Sequence, residues 1–223
     1  MKIVCLSFDD GTIYDLRFIE LLNKYNLKAT LNLNSGLEDF VWYYGDSPIK
    51  RLKLDEVKDK YYGHEVCSHS LTHPYFSSLD EQEIIRQVKE DISSLSRIFS
   101  YPIVGFAFPF HDQTEYNIQV IKDNVDLKYI RYSFFSNSYI PKDRYHIPLH
   151  ALYDDSDIYS KLEDFKKNTL DNSLFVIAGH AYEFEVKNDW EKIETLLKHL
   201  SEDVELEVKT MTDAVDILFK DER

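Results

Sequence analysis

Two acidic residues follow the first apolar segment of the chain. Asp9 and Asp10 come directly after Ile3 to Phe8, and Gly11 follows them. Neighbouring residues within a strand point to opposite faces, so both carboxylates can address one site only if they lie beyond the strand end. Gly11 permits the sharp turn that this arrangement requires. Taken alone, the same residues are also explained by a plain Asp-Gly turn.

Two histidines, His69 and His73, follow another short apolar segment. A single helical turn at this spacing would place both imidazoles on one face, within reach of one divalent cation, and Pro74 would then end the turn. Together with a carboxylate from the end of the first strand, the pair would make an open three-ligand metal site. Two unrelated surface histidines are the alternative when the pair is considered by itself.

A third histidine follows a strand candidate near the C-terminus. His180 comes after Leu174 to Ala178, a continuous apolar run typical of a strand buried on both faces. An imidazole across from a metal site is the group that a hydrolase needs to protonate a leaving group near neutral pH. Without its neighbours, His180 would be interpreted as a structural residue. The remaining histidines have no comparable partners and are interpreted as structural or surface residues: His64, His111, His146, His150 and His199.

Short apolar runs alternate with longer amphipathic ones along the whole chain, which predicts βα units around a mostly parallel sheet in one domain over residues 1–223. The predicted strands are Ile3 to Phe8, Ala29 to Leu33, Glu65 to Ser68, Val104 to Phe108, Tyr129 to Tyr132, Leu174 to Ala178 and Val204 to Val208. The predicted helices are Tyr14 to Tyr25, Glu81 to Phe99 behind a Ser78-x-x-Glu81 capping signal, Thr114 to Asn124, Ile158 to Thr169, Asn188 to Leu200 and Thr212 to Phe219. This pattern predicts a barrel smaller or more open than the eight-stranded form, with its chemistry at the C-terminal strand ends.

Composition excludes several classes of function. The 40 acidic residues exceed the 26 basic ones, so a formal net charge of -14 repels phosphate backbones, and nucleic acid is not expected as a partner. Cys5 and Cys67 lie in apolar segments, which favours a reduced, cytoplasmic chain with both thiols in the core. No apolar stretch reaches the ~20 residues of a membrane span, and Ile3 to Leu6 is too short for a signal sequence. We therefore expect no membrane association.

Four segments resemble, in the same order, the motifs of the NodB-homology polysaccharide deacetylases, carbohydrate esterase family four. They are Phe8 to Gly11, His69 to His73, Phe106 to Phe110 and Ile177 to His180. The resemblance implies an α/β fold, a distorted (β/α) barrel of about seven parallel strands related to the TIM barrel. It also implies one divalent metal ion, commonly zinc.

By motif position, the resemblance implies Asp10, His69 and His73 as metal ligands, Asp9 as catalytic base and His180 as catalytic acid. The backbone N–H of Phe110 would help to hold the oxyanion.

The chain also departs from the family pattern. Ala107 stands where the family often has an arginine that orients the base. Arg131, at the end of the next predicted strand, could reach the space that Ala107 leaves, so we predict that Arg131 pairs with Asp9. A surface arginine on the barrel rim is the alternative. The family's Asp-x-x-Asp-Trp groove motif has no match before His180, which leaves long polymers less favoured as substrates.

With the metal site expected from spacing, the resemblance implies metal-dependent hydrolysis of a carbon–nitrogen amide bond, with removal of N-linked acetyl from an amino sugar or saccharide. Three other activities use similar groups. One is a barrel amidase acting on a small cyclic amide or imide, another is a sugar O-acetyl esterase, and a metallophosphoesterase is disfavoured because the acidic surface repels phosphoesters. A catalytically silent carbohydrate-binding module would not need Asp9 or His180.

Overall fold

The computed structural model describes residues 1–220. Within this part of the chain, nine strands pair in parallel in one sheet: β1 (Lys2–Asp9), β2 (Thr30–Leu33), β5 (Glu65–Ser68), β6 (Gly105–Ala107), β7 (Tyr129–Phe135), β8 (Ile147–Leu149), β9 (Ala151–Leu152), β10 (Ser173–His180) and β11 (Glu207–Lys209). Their order is β8-β7-β6-β5-β2-β1-β10-β9, and β11 pairs with the first half of β1. The central strands β1 and β10 are buried almost throughout, as their continuous apolar sequences require.

The two ends of the sheet approach each other through His150, the single residue between β8 and β9. The His150 N–H donates to the Val176 carbonyl at 2.9 Å, and the Val176 N–H donates to His150 Nδ1 at 3.0 Å. The sheet therefore curls almost into a closed barrel, which confirms the predicted distorted (β/α) barrel. Strands β8 and β9 are additions to the seven that the sequence predicts.

Helices cover the outside of the sheet. They are α1 (Asp15–Lys24), α2 (Leu54–Val57), α3 (Glu81–Phe99), α4 (Glu115–Asn124), α5 (Ile158–Lys167), α6 (Ala181–Val186), α7 (Trp190–Glu202) and α8 (Met211–Leu218). The apolar faces of the longer helices pack on the sheet, as their three- and four-residue spacing predicts. The short helices α2 and α6 were not predicted.

The predicted ends of several elements differ from the structure, and two of these differences have a clear physical reason. Helix α3 is capped by Asp80, whose carboxylate accepts the Glu83 N–H at 2.9 Å, whereas Ser78 lies in a preceding 3₁₀ turn and donates to the Tyr75 carbonyl. Strand β11 begins three residues later than predicted, because the chain turns first and leaves Val204 almost fully exposed.

A two-stranded antiparallel hairpin, β3 (Val41–Tyr44) with β4 (Ser47–Lys50), lies outside the main sheet. We call the segment Val41–Lys50 the hairpin. Backbone hydrogen bonds from Ile13 to Lys50, at 3.0 Å, and from Leu52 to Gly11, at 2.9 Å, fasten it beside the C-terminal end of β1. The hairpin therefore lies at the edge of the sheet where the predicted site residues collect.

The sheet register brings these residues to one edge. Asp9 is the register partner of both His180 on β10 and Asn32 on β2, and Ala107 is the partner of Arg131. The interior also holds the two free cysteines, both fully buried as predicted. Among the described residues, no helix has both the length and the apolar character needed to cross a membrane.

Candidate active site

The turn after β1 places Asp10 at the mouth of the barrel. Asp10 and Gly11 both have positive backbone φ angles, 89° and 67°, which reverse the chain direction directly after the strand. The Asp10 N–H donates to the Asn32 carbonyl at 3.0 Å and so fixes the turn to β2. Both carboxylates, those of Asp9 and Asp10, are consequently buried at the same end of the sheet.

The segment that carries His69 and His73 is an irregular loop, and the helical turn predicted from their spacing is wrong. Ser70 and His73 have positive φ angles of 70° and 54°, which no helix contains. The loop nevertheless brings the two imidazoles together, with ring centroids 4.9 Å apart. Ligand atoms of Asp10, His69 and His73 all lie within 4.8 Å of one another.

The protonation of this cluster suits a cation. His69 Nδ1 lies 2.8 Å from the Ala107 carbonyl and donates to it, which leaves the lone pair of Nε2 directed to the cluster. Burial lowers the pKa of both histidines. Burial alone would raise the pKa of Asp10, but Arg51 and the nearby histidines outweigh that effect and lower it. Two neutral imidazoles and a carboxylate are a donor set that fits zinc with open positions.

Asp9 is held from two sides. Arg131 Nη2 lies 2.8 and 3.1 Å from the two carboxylate oxygens of Asp9, so the predicted ion pair is present. The Asn32 side-chain amide donates to Oδ1 of Asp9 at 2.6 Å. Arg131 is only 1% exposed, which excludes the alternative of an arginine on the barrel rim. The Asp9 carboxylate is therefore fixed 3.9 Å from His69 Nε2, at the border of the cluster.

His180 lies near one carboxylate oxygen of Asp10, Oδ2, whereas Arg51 and His73 lie near the other, Oδ1. His180 Nε2 lies 3.9 Å from Asp10 Oδ2, and His180 Nδ1 lies 3.7 Å from Glu183 Oε2, an ion-pair distance rather than a hydrogen bond. Burial opposes the charged ring, but the carboxylates of Glu183, Asp10 and Asp9 outweigh it and raise the pKa of His180 to about 9. The ring is therefore protonated at neutral pH and can donate a proton.

A cavity of about 530 Å³ opens above these residues. Its apolar lining includes Phe40 and Trp42 from the hairpin side, Leu149 from β8, and Tyr182 next to His180. Phe110 lines the cavity beside His73, with ring centroids 4.4 Å apart, and has a φ angle of 55°. The size is within the range of small-ligand sites, and the cluster of Asp10, His69 and His73 lies in the cavity wall.

Four site residues were not identified from the sequence: Asn32, Asn34, Arg51 and Glu183. Asn34 follows an apolar strand, so the strand-end criterion that selected Asp9 and His180 would have found it, whereas Asn32 lies within that strand. Glu183 lies three residues after His180, the spacing of neighbours on a helix. Arg51 has no such signal, because its contacts depend on the position of the hairpin.

The family model for polysaccharide deacetylases matches residues 1–129, more than half of the chain. The chain belongs to the polysaccharide deacetylase family. A curated relative, the peptidoglycan-N-acetylmuramic acid deacetylase PdaC of Bacillus subtilis (strain 168), is 29% identical over 102 residues, which are 45% of this chain. The match covers only 20% of that relative.

Solved structures in this family share the fold. The Xyl-CE4 domain of a multidomain xylanase from the hindgut metagenome of Trinervitermes trinervoides has a TM-score of 0.61 at 17% identity, covering 99% of this chain and 91% of that one. An acetyl xylan esterase of family 4 from Clostridium thermocellum, in complex with a cobalt ion, has a TM-score of 0.59 at 17% identity, with coverages of 97% and 91%. A CE4 family pseudoenzyme from Bacillus anthracis matches at a TM-score of 0.56 and 16% identity, with coverages of 96% and 66%.

Proposed function

We propose that this chain is a metal-dependent hydrolase that removes N-linked acetyl groups from an amino sugar or saccharide. The observation that carries the proposal is the arrangement around Asp10, His69 and His73. Asp9, paired with Arg131, lies 3.9 Å from His69 Nε2, and His180, whose pKa the neighbouring carboxylates raise, lies 3.9 Å from Asp10 Oδ2. One acceptor and one donor of protons around a cation site are the groups that hydrolysis of an amide requires.

Asp10, His69 and His73 would hold the metal, for which zinc is the first candidate. A divalent cation there supplies Lewis-acid chemistry, which polarises the amide carbonyl and acidifies a water molecule. The cobalt ion named with one structural relative is consistent with a site for divalent cations in this fold.

The chain's own residues move the protons. Asp9 accepts the proton of the attacking water, and Arg131 and Asn32 keep its carboxylate in place for that transfer. His180 donates its proton to the departing nitrogen. The backbone N–H of Phe110, at the cavity wall, donates a hydrogen bond to the substrate oxygen as negative charge develops on it.

The proposed role of His180 as proton donor favours an amide over an ester as the bond that is hydrolysed. An amine leaves only after its nitrogen has been protonated, whereas an alcohol is a better leaving group and depends less on an acid. The neighbouring carboxylates, of which Glu183 has the largest effect, raise the pKa of His180 and so favour a ring that holds a proton to donate. The name of PdaC, a deacetylase of N-acetylmuramic acid in peptidoglycan, also supports an N-acetylated sugar as the substrate class.

The test uses purified protein with chito-oligosaccharides and peptidoglycan fragments, and acetylated xylan as the O-acetyl control. We expect release of acetate together with new free amines from the first two substrates, loss of activity with a chelator and recovery with Zn²⁺. Asp10→Ala and His69→Ala should lose metal. Asp9→Asn and His180→Gln should keep metal and lower kcat by roughly 10²-fold or more.

Several results would contradict this proposal. Unchanged metal content in Asp10→Ala and His69→Ala would show that these residues do not bind the cation. Acetate release from xylan alone would make the chain an O-acetyl esterase. If the metal-loaded protein releases acetate from none of the substrates, the chain would be a pseudoenzyme, like one of its structural relatives.

A further inference from the structure

A buried arginine, Arg51, contacts one of the candidate metal ligands. Its Nη2 lies 2.9 Å from Asp10 Oδ1, and its Nη1 donates to the backbone carbonyl of Asp10. Nη1 also donates to the side-chain oxygen of Asn34 at 2.5 Å. Arg51 is 5% exposed, so this charged group was taken out of water to make these contacts.

Asn34 extends the contact to the second ligand-bearing segment. Its side-chain amide donates to the carbonyl oxygens of His69 and Ser70. The loop from His69 to His73 has no helical hydrogen bonds, and two of its residues have positive φ angles that cost free energy. Such a loop keeps its shape only when its surroundings hold it, and Asn34 supplies two of the bonds that do so.

The same arginine also touches the hairpin. Its Cζ lies 4.9 Å from the centre of the Trp42 ring, a cation–π contact. The backbone N–H of Arg51 donates to the carbonyl of Phe40, the residue before the hairpin, at 2.9 Å. Trp42 in turn packs edge-on against Tyr182, next to His180, at 5.6 Å. The buried Arg51 side chain thus contacts the candidate metal ligand Asp10 and the hairpin residue Trp42. It also contacts Asn34, which holds the histidine loop, residues 69–73.

We propose that Arg51 is a positioning residue that couples the hairpin to the metal site. With Asn34 it holds Asp10 and the histidine loop at the spacing that one cation needs, and through Trp42 it fixes the hairpin over the cavity. Cation binding and the order of the hairpin then support each other. The proposal rests on the proposed function, because it requires the cation site.

Charge and geometry predict opposite effects of Arg51 on cation binding. A guanidinium 2.9 Å from a ligand oxygen repels a cation, so Arg51 can favour binding only by fixing the ligands in place. Lysine keeps the positive charge but loses the planar fork that reaches Asp10 and Asn34 together. A Lys variant and a neutral variant at this position therefore separate the two effects.

The experiment measures the dissociation constant of Zn²⁺ for metal-free protein by competition with a chelating indicator. We expect Arg51→Lys and Asn34→Ala to weaken binding by roughly 10- to 100-fold, the usual effect of losing a partner of a metal ligand. Arg17→Lys is the matched control, because the Arg17 guanidinium also stacks on a tryptophan, Trp190, at 4.1 Å, but on the outer helices. It should bind Zn²⁺ like the unmodified chain.

Hydrogen exchange of the backbone amides of residues 41–50 gives a readout independent of activity. We expect Zn²⁺ to slow this exchange in the unmodified chain, and to slow it much less in Arg51→Lys and in Trp42→Leu. Trp42→Leu leaves the contacts of Arg51 with Asp10 intact, so it tests the coupling even if a variant at Arg51 folds poorly.

Two results would overturn the coupling while leaving the proposed function intact. One is Zn²⁺ binding by both Arg51→Met and Arg51→Lys that is as tight as in the unmodified chain, or tighter. That result would mean that the guanidinium only repels the cation and does not hold its ligands in place. The other is hairpin exchange that does not respond to Zn²⁺ in the unmodified chain. If the unmodified chain binds no divalent cation, the proposed function fails and the coupling fails with it.

Discussion

Arg131 lies on β7 and contacts Asp9 on β1. In the sheet, β7 is two strands away from β5, the strand that precedes the histidine loop. The Arg131 guanidinium is buried and contacts both oxygens of the carboxylate, which restricts rotation of Asp9. Ala107, on the strand between, is small enough to leave this path open and uses its carbonyl to orient His69. The orienting charge for Asp9 therefore comes from a different strand than the family pattern implies.

We predict that Arg131→Ala lowers kcat on the acetylated substrate by roughly 10- to 100-fold and leaves the metal content unchanged. The variant loses a partner of Asp9, the proposed base, and keeps all three candidate metal ligands. Arg131→Lys should recover only part of the rate, since the shorter lysine side chain does not place its ammonium where Nη2 of Arg131 contacts both oxygens. Arg97→Ala, on the exposed face of α3, serves as the control. Full activity of Arg131→Ala would show that Asn32 alone positions Asp9.

The residues of the site differ in how far the sequence could predict them. Asp9, His69 and His180 were identified because each follows an apolar strand and lies in a family motif. Arg51 was not identified, because its contact with Asp10 joins residues 41 positions apart through a hairpin that no βα pattern predicts. A side chain whose role depends on tertiary placement carries no local signal.

Among the secondary-structure elements, α3 shows how a cap is chosen. Asp80 has an extended backbone and accepts the Glu83 N–H, whereas Ser78 is two residues too early to reach it. We predict that Asp80→Ala lowers the free energy of unfolding by about 1 kcal/mol, the usual effect of losing an N-cap. Ser78→Ala should change it by less than about 0.5 kcal/mol, as for an exposed substitution. Chemical denaturation of both variants measures the difference, and a larger loss for Ser78→Ala would contradict the assignment.

The elements that the sequence did not predict share a physical reason. Helix α3 was predicted in full because its apolar residues recur over 19 positions. Strand β9 has two residues, too few for any periodicity, and α6 follows β10 without a loop. The hairpin strand β3 consists of bulky residues that are mostly exposed, so burial does not impose the alternation that identifies a strand.

For the molecule as a whole, buried histidines link stability to pH. His150 accepts the Val176 N–H at Nδ1 and donates from Nε2 to the Ser138 carbonyl at 3.0 Å, so it fits the barrel only as the neutral ring. Burial lowers its pKa to about 4, and burial has the same effect on His64. The unfolded chain, with a histidine pKa near 6.5, binds more protons than the folded chain between these values. The stabilisation is therefore complete above pH 6.5 and is lost as the pH falls towards 4.

We predict that His150→Asn removes part of this dependence. Between pH 7 and pH 5, the free energy of unfolding of the unmodified chain should fall by about 2 kcal/mol more than that of the variant. The comparison between the two proteins isolates His150, because the buried carboxyls Asp15 and Asp91, whose pKa values burial raises to about 7, act in the opposite direction in both. Equal slopes for His150→Asn would mean that His150 is protonated in the folded state.

The pairing of β1 with β10 also has a consequence for the order in which the chain is made. Residues Lys2 to Asp9 pair along their whole length with Ser173 to His180, so β1 is synthesised long before the strand with which it pairs. A nascent chain that ends between His73 and Ser173 already carries both aspartates and the histidine loop. It still lacks His180 and the strand that covers one edge of β1. His180, the proposed proton donor, thus arrives with the strand that pairs with β1. Synthesis that stops early yields a chain with the three candidate metal ligands and without the proposed acid.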